Sequence, residues 1–116
     1  MNDNSTTVAD LKRLMASFVA EREWQKFHDP KNLAASIAIE TAELMEHFQW
    51  LRSDELEAAK HEAATMQAIG EEVADIACYL LSFANTMDID LASAIEEKVK
   101  KNEIKYPVER YRGRSR

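Results

Sequence analysis

The sequence predicts an all-α protein, and three observations carry that expectation. Only two glycines and two prolines punctuate 116 residues, too few for the many turns of a β-sandwich or barrel. Ala, Leu, Glu, Lys and Met, all strong helix formers, dominate the chain. Apolar residues recur at helical spacing in four long stretches. A length of 116 residues suits one domain.

The first helix is expected to start at Thr7, whose pairing with Asp10 resembles a capping box. Leu11, Leu14, Phe18 and Val19 follow at helical spacing, and the helix should run to the region of Trp24 to Phe27, before His28-Asp29-Pro30. The second is expected to begin near Pro30 to Leu33, with Asp29 as its cap, and to end near Phe48 to Leu51. Its apolar face reads Leu33, Ala34, Ile37, Thr41, Leu44 and Phe48, edged by Glu40, Glu43 and Glu46. Residues 54–65 are polar and only weakly amphipathic, so a short helix or ordered loop is expected there. From Met66 to about Asn85 the pattern strengthens through Ile69, Val73, Ile76, Leu80 and Phe83. Asp90 can cap a last long helix carrying Leu91, Ala94, Ile95 and Val99, closed by Tyr106-Pro107.

Four helices with short connections predict a compact four-helix bundle. The helix from Met66 to Asn85 is apolar on several faces, which implies completion by oligomerisation, as a homodimer or homotetramer. The expected domain spans 7–107, flanked by a flexible 1–6 and a basic, unstructured tail at 108–116 with Arg110, Arg112, Arg114 and Arg116.

The net charge of −6 disfavours a nucleic-acid polymer as partner, because phosphate neutralisation calls for a basic surface. The lone Cys78 cannot form an internal disulfide, and no apolar span is long enough for a membrane helix. A soluble, cytoplasmic protein without a membrane partner is expected.

Chemistry is concentrated in carboxylates. Glu40 and Glu43 are spaced i,i+3 and share one helix face, and Glu72 with Asp75 repeats that geometry. Both pairs border apolar stripes, so packing these helices core to core would gather four acids in one cleft. Such a cluster repels itself unless protons or cations neutralise it. All-oxygen ligands suit hard cations, and Mg²⁺ with a polyphosphate matches them. A di-iron bundle would need Glu-x-x-His, yet His28, His47 and His61 are preceded at that spacing by Gln25, Leu44 and Ala58. Zinc is disfavoured by the single cysteine. Cys78 lies in the most apolar helix and reads as an inert thiol. No glycine-rich loop exists to cradle phosphates through the backbone, so phosphate binding must use side chains and metals.

Four blocks then make the chain recognisable: EREWQKFHDPKNL at 21–33, AIETAELMEHFQW at 38–50, EEVADIACYL at 71–80 and KVKKNEIKYP at 98–107. In this order they resemble the MazG-like all-α nucleoside triphosphate pyrophosphohydrolases, and most of all the dCTP pyrophosphatase branch. The resemblance implies that Glu40, Glu43, Glu72 and Asp75 are the catalytic and metal-binding residues, holding Mg²⁺ on a nucleoside triphosphate that water cleaves to monophosphate and pyrophosphate. It implies that Lys98, Asn102 and Tyr106 reach phosphate or sugar oxygens. It makes Tyr79, Trp24 and Trp50 contacts to the nucleotide, the two tryptophans by stacking on the base. His28 and Asn32 either order the loop that carries them or touch substrate. Met15 stands where close relatives can carry a polar residue facing the base. The implied role is nucleotide-pool sanitation on dCTP or a modified cytosine nucleotide. Relaxed (d)NTP or dUTP specificity and an inactive helical interaction module are the alternatives.

Overall fold

The first helix begins where the sequence places a cap. Thr7 Oγ1 accepts from the Asp10 amide at 3.0 Å, and the Asp10 carboxylate accepts from the Thr7 amide at 2.9 Å. This capping box opens α1, Val8–Glu21, in a computed structural model that describes residues 1–115. The helix stops earlier than expected. Glu23 adopts a left-handed φ of 52°, which no helix interior accommodates. Trp24–Phe27 therefore forms a separate 3₁₀ turn and faces a direction of its own.

Asp29 caps α2, Pro30–Glu46, by accepting from the Asn32 amide at 2.8 Å, with proline in the first turn. The chain leaves the helix at His47, a little before the expected region. The polar stretch beyond it resolves into a 3₁₀ turn, Ser53–Glu55, and one turn of helix, α3, Leu56–Ala59. Next comes α4, Ala63–Thr86, which starts three residues before the expected Met66 and is the longest element at 24 residues. Asp88, with a φ of 53°, turns the chain into α5, Leu91–Lys105, which Asp90 caps as expected. One further turn, α6, Val108–Tyr111, lies inside the segment expected to be an unstructured tail. Its Tyr111 ring meets the Tyr106 ring edge-on at 5.2 Å. Arg116, one of the tail arginines, is outside the described residues. Among the described residues there is no β-strand, and no helix is long and apolar enough to cross a membrane.

The packing centre is α4, against which both α2 and α1 lie. Val19 of α1, Leu33 of α2, and Leu81 and Ala84 of α4 are the buried apolar residues, with Leu33 only 1% exposed. Two long-range hydrogen bonds pin α1 to the end of α4 and the turn after it: Asn85 Nδ2 donates to Lys12 O at 2.9 Å, and Lys12 Nζ donates to Ile89 O at 2.8 Å.

The helical architecture matches the expectation, whereas the single chain is more open than a closed bundle. Its radius of gyration is 17.3 Å, against about 13 Å for a compact domain of this length. The physical reason lies in α5, which buries none of its residues and leaves Ile95, Val99 and Ile104 exposed. Val73 and Leu80 of α4 are exposed as well.

Candidate active site

Antiparallel contact between α2 and α4 sets the two acidic pairs against each other. Glu40 and Glu43 come from α2, Glu72 from α4, and one carboxylate oxygen of each lies within 4.8 Å of the others. All three are half-buried. Glu40 Oε2 and Glu72 Oε2 are shut off from solvent and have no hydrogen-bond partner. Among the described residues, no lysine or arginine forms an ion pair with any of the three.

The electrostatic result is a raised proton affinity at Glu40. Burial, followed by the neighbouring Glu72 and Glu43 carboxylates and the charge of Asp75, pushes its pKa up to about 7. A proton relieves part of the repulsion in the cluster, and a divalent cation relieves more. Only oxygen donors are on offer, two of them orphaned, which fits a hard divalent ion such as Mg²⁺ and does not fit a soft one.

Asp75, the fourth acid, is more exposed and stands outside the tight trio. It instead faces a cavity of about 410 Å³. Leu14, Met15 and Phe18 of α1 line this cavity on one side, Trp24 and His28 after the break in α1 on another, and Cys78, Tyr79 and Ser82 of α4 on the third. The left-handed Glu23 has a consequence here, because it swings Trp24 back over α1. The Trp24 ring then meets Phe18 edge-on at 5.7 Å and lies 6.4 Å from the His28 ring. Thr86 Oγ1 donates to His28 O at 3.4 Å and ties this loop to the end of α4. Burial, with the Asp75 charge second, pushes the Cys78 thiol pKa up. That fits an inert wall residue rather than a nucleophile.

An acidic trio therefore opens, through Asp75, onto a mainly apolar, partly aromatic cavity of the size that small ligands occupy. Glu40, Glu43, Glu72, Asp75, Tyr79, Trp24 and His28 belong to this one region. Asn32 is committed locally, its side-chain amide donating to Phe27 O at 3.3 Å and to Asp29 Oδ2 at 3.1 Å. Trp50 is 85% exposed and does not line the cavity. Lys98 and Asn102 share a face of α5 while Tyr106 is its C-cap, outside helical geometry, and that helix stands away from the acids in the single chain. Ser82 was not singled out from the sequence. The signal was present, since it follows Asp75 by seven residues and Tyr79 by three and so shares their helix face.

Comparison with known proteins supplies the family. A sequence model described as MazG-like family matches residues 35–116. The chain is 37% identical over 107 residues to dCTP pyrophosphatase 1 of Rattus norvegicus, covering 92% of this chain and 63% of that protein. It is 36% identical over 110 residues to dCTP pyrophosphatase 1 of Homo sapiens, covering 95% and 65%. It thus spans a little under two thirds of these relatives. The crystal structure of a pyrophosphatase from Archaeoglobus fulgidus superposes with a TM-score of 0.80 at 38% identity, over 92% of this chain and 98% of that one.

Proposed function

The chain belongs to the MazG-like family, and from that premise we propose that it is a Mg²⁺-dependent nucleoside triphosphate pyrophosphohydrolase, with dCTP or a modified cytosine nucleotide as its preferred substrate. The observation that carries this reading is the Glu40, Glu43 and Glu72 trio, joined by Asp75 to an aromatic cavity. Relatives named dCTP pyrophosphatase 1 support the choice of base.

In this reading Glu40, Glu43, Glu72 and Asp75 would hold Mg²⁺ and, through it, the triphosphate. When bound, Mg²⁺ supplies positive charge that shields the polyphosphate and the leaving group. The protein's own contribution is positioning. Trp24, Tyr79 and the α1 side chains seat the base and exclude water, which fixes the α-phosphorus relative to the acids. Water attacks the α-phosphorus, the bond from it to the bridging oxygen of the β-phosphate breaks, and pyrophosphate leaves. The carboxylates to test first as acceptor of that water's proton are Glu43, within the trio, and Glu46, three residues further along α2. Glu40, whose pKa is raised to about 7, would release its proton on binding such a cation.

Lys98, Asn102 and Tyr106 contact phosphate or sugar oxygens, Trp50 adds a stacking face, and His28 and Asn32 order the loop beside the base. The working unit is a homodimer or homotetramer. Support comes from the exposed apolar residues of α4 and α5 and from the open shape of the single chain. The domain is 7–107, and the setting is the cytoplasmic nucleotide pool. The test is chromatography of the products formed from dCTP with and without Mg²⁺. Deoxycytidine monophosphate plus pyrophosphate supports the proposal, and diphosphate plus orthophosphate refutes it.

A further inference from the structure

The wall of the base cavity contains a polar group that the protein itself leaves unsatisfied. Ser82 is only 4% exposed, and its Oγ has no hydrogen-bond partner. A serine or threonine inside a helix ordinarily donates to the carbonyl four residues back, as Thr41 does to Ile37 O at 2.7 Å. Ser82 makes no such bond. Leaving a buried hydroxyl unpaired is destabilising, and alanine would fit the same helical position with better intrinsic propensity.

The placement of this hydroxyl is informative. Ser82 lines the cavity of about 410 Å³ and also a second one of about 440 Å³, and the two share Met15, His28 and Ser82 as lining. His28 Nδ1 is the other orphaned polar atom in that shared wall. Asp75, Tyr79 and Ser82 fall at i, i+4 and i+7 on one face of α4, and all three line the first cavity. Seven residues of helix place Ser82 about 10 Å along the axis from Asp75. That is the reach of a nucleotide from its α-phosphorus to the far edge of its base.

We propose that Ser82 is a specificity-determining residue whose hydroxyl, together with His28 Nδ1, hydrogen-bonds the polar edge of a pyrimidine base seated in this cavity. The inference rests on the pyrophosphohydrolase reading above and adds the groups that read the base. A hydroxyl both donates and accepts, so Ser82 selects bases with a polar edge against an apolar ring of the same shape. It does not by itself rank cytosine above uracil.

The experiment compares the wild-type chain with Ser82→Ala and the near-isosteric Ser82→Cys. Binding is measured by calorimetry with Mg²⁺ and two non-hydrolysable α,β-imido triphosphates. One carries deoxycytidine, the other an apolar ring isostere without ring nitrogen, amino or carbonyl groups; melting temperatures are recorded without ligand. Wild type should favour the cytosine analogue, and both variants should lose about tenfold or more of that preference with little change toward the isostere. The unliganded Ser82→Ala should melt at or above the wild type, because an unsatisfied hydroxyl has been removed. An unchanged preference in both variants overturns the proposal, as does a lower melting temperature with equal loss toward both ligands. A wild type that binds cytosine with this Ser82 dependence but hydrolyses no nucleotide leaves the proposal standing and refutes the pyrophosphohydrolase reading. A wild type that binds neither ligand overturns both.

Discussion

Adding Mg²⁺ should stabilise the protein, and lowering the pH should take much of that gain away. Glu40, Glu43 and Glu72 offer one oxygen each within 4.8 Å of one another, and Glu40 carries a proton up to about pH 7. A cation entering this cluster displaces that proton, so its apparent Kd weakens about tenfold between pH 8 and pH 6. At 100 times Kd, binding adds about 2.7 kcal/mol. For a domain of this size that amounts to roughly 10 °C in Tm, taking about 4 °C per kcal/mol. At the same Mg²⁺ concentration and pH 6, only about ten times the apparent Kd remains, and the gain falls by roughly half. The sign without metal is the reverse. Glu40 binds its proton more tightly folded than unfolded, so folding stability is greatest below its ordinary pKa of 4.5 and declines as pH rises to about 7. Differential scanning fluorimetry at constant ionic strength, with and without Mg²⁺ at pH 6 and pH 8, measures both slopes. An equal Mg²⁺ shift at the two pH values would refute the proton-for-cation exchange, and no shift at either would refute the metal site.

Glu43→Gln should lose pyrophosphate release to the detection limit while melting, without metal at pH 8, no lower than wild type, because one charge of a repulsive trio is gone; steady-state kinetics with a metal-free melt checks both halves. Leu33→Ala should cost about 2–5 kcal/mol, since Leu33 is 1% exposed and the buried core of a single chain is small; urea unfolding reads the loss. Val73→Asp or Leu80→Asp, each on an exposed apolar position of α4, should shift the mass in light scattering from an oligomer to a monomer; an unchanged oligomer would place the interface elsewhere.

The helices were legible in the sequence wherever local chemistry decides them. Thr7 with Asp10, Asp29 before Pro30, and Asp90 all cap as their side chains dictate. The break after α1 was not legible, because Glu23 has no residue-type signature for its left-handed φ; Gly or Asn would have announced it. The acidic trio was legible as two i,i+3 pairs, since helix periodicity fixes each pair and two adjacent apolar stripes bring the pairs together. Ser82 was hidden by its chemistry. A serine in an apolar stripe reads as a small core residue until its hydroxyl is found without a partner. The register of Lys98 and Asn102 follows from spacing alone, whereas Tyr106 falls at the C-cap of α5, where the helix has already ended. The position of α5 relative to the acids does not follow from spacing, because the face that would dock it has no partner within the chain.

The most direct test of the account is Mg²⁺-dependent turnover across dCTP, dUTP, dTTP, dATP and dGTP, with nucleotide products resolved by chromatography. The account predicts monophosphate and pyrophosphate, fastest from dCTP and absent without a divalent cation. Equal turnover of all five would contradict the cytosine preference, and turnover that persists in chelator would contradict the role of the Glu40, Glu43 and Glu72 cluster.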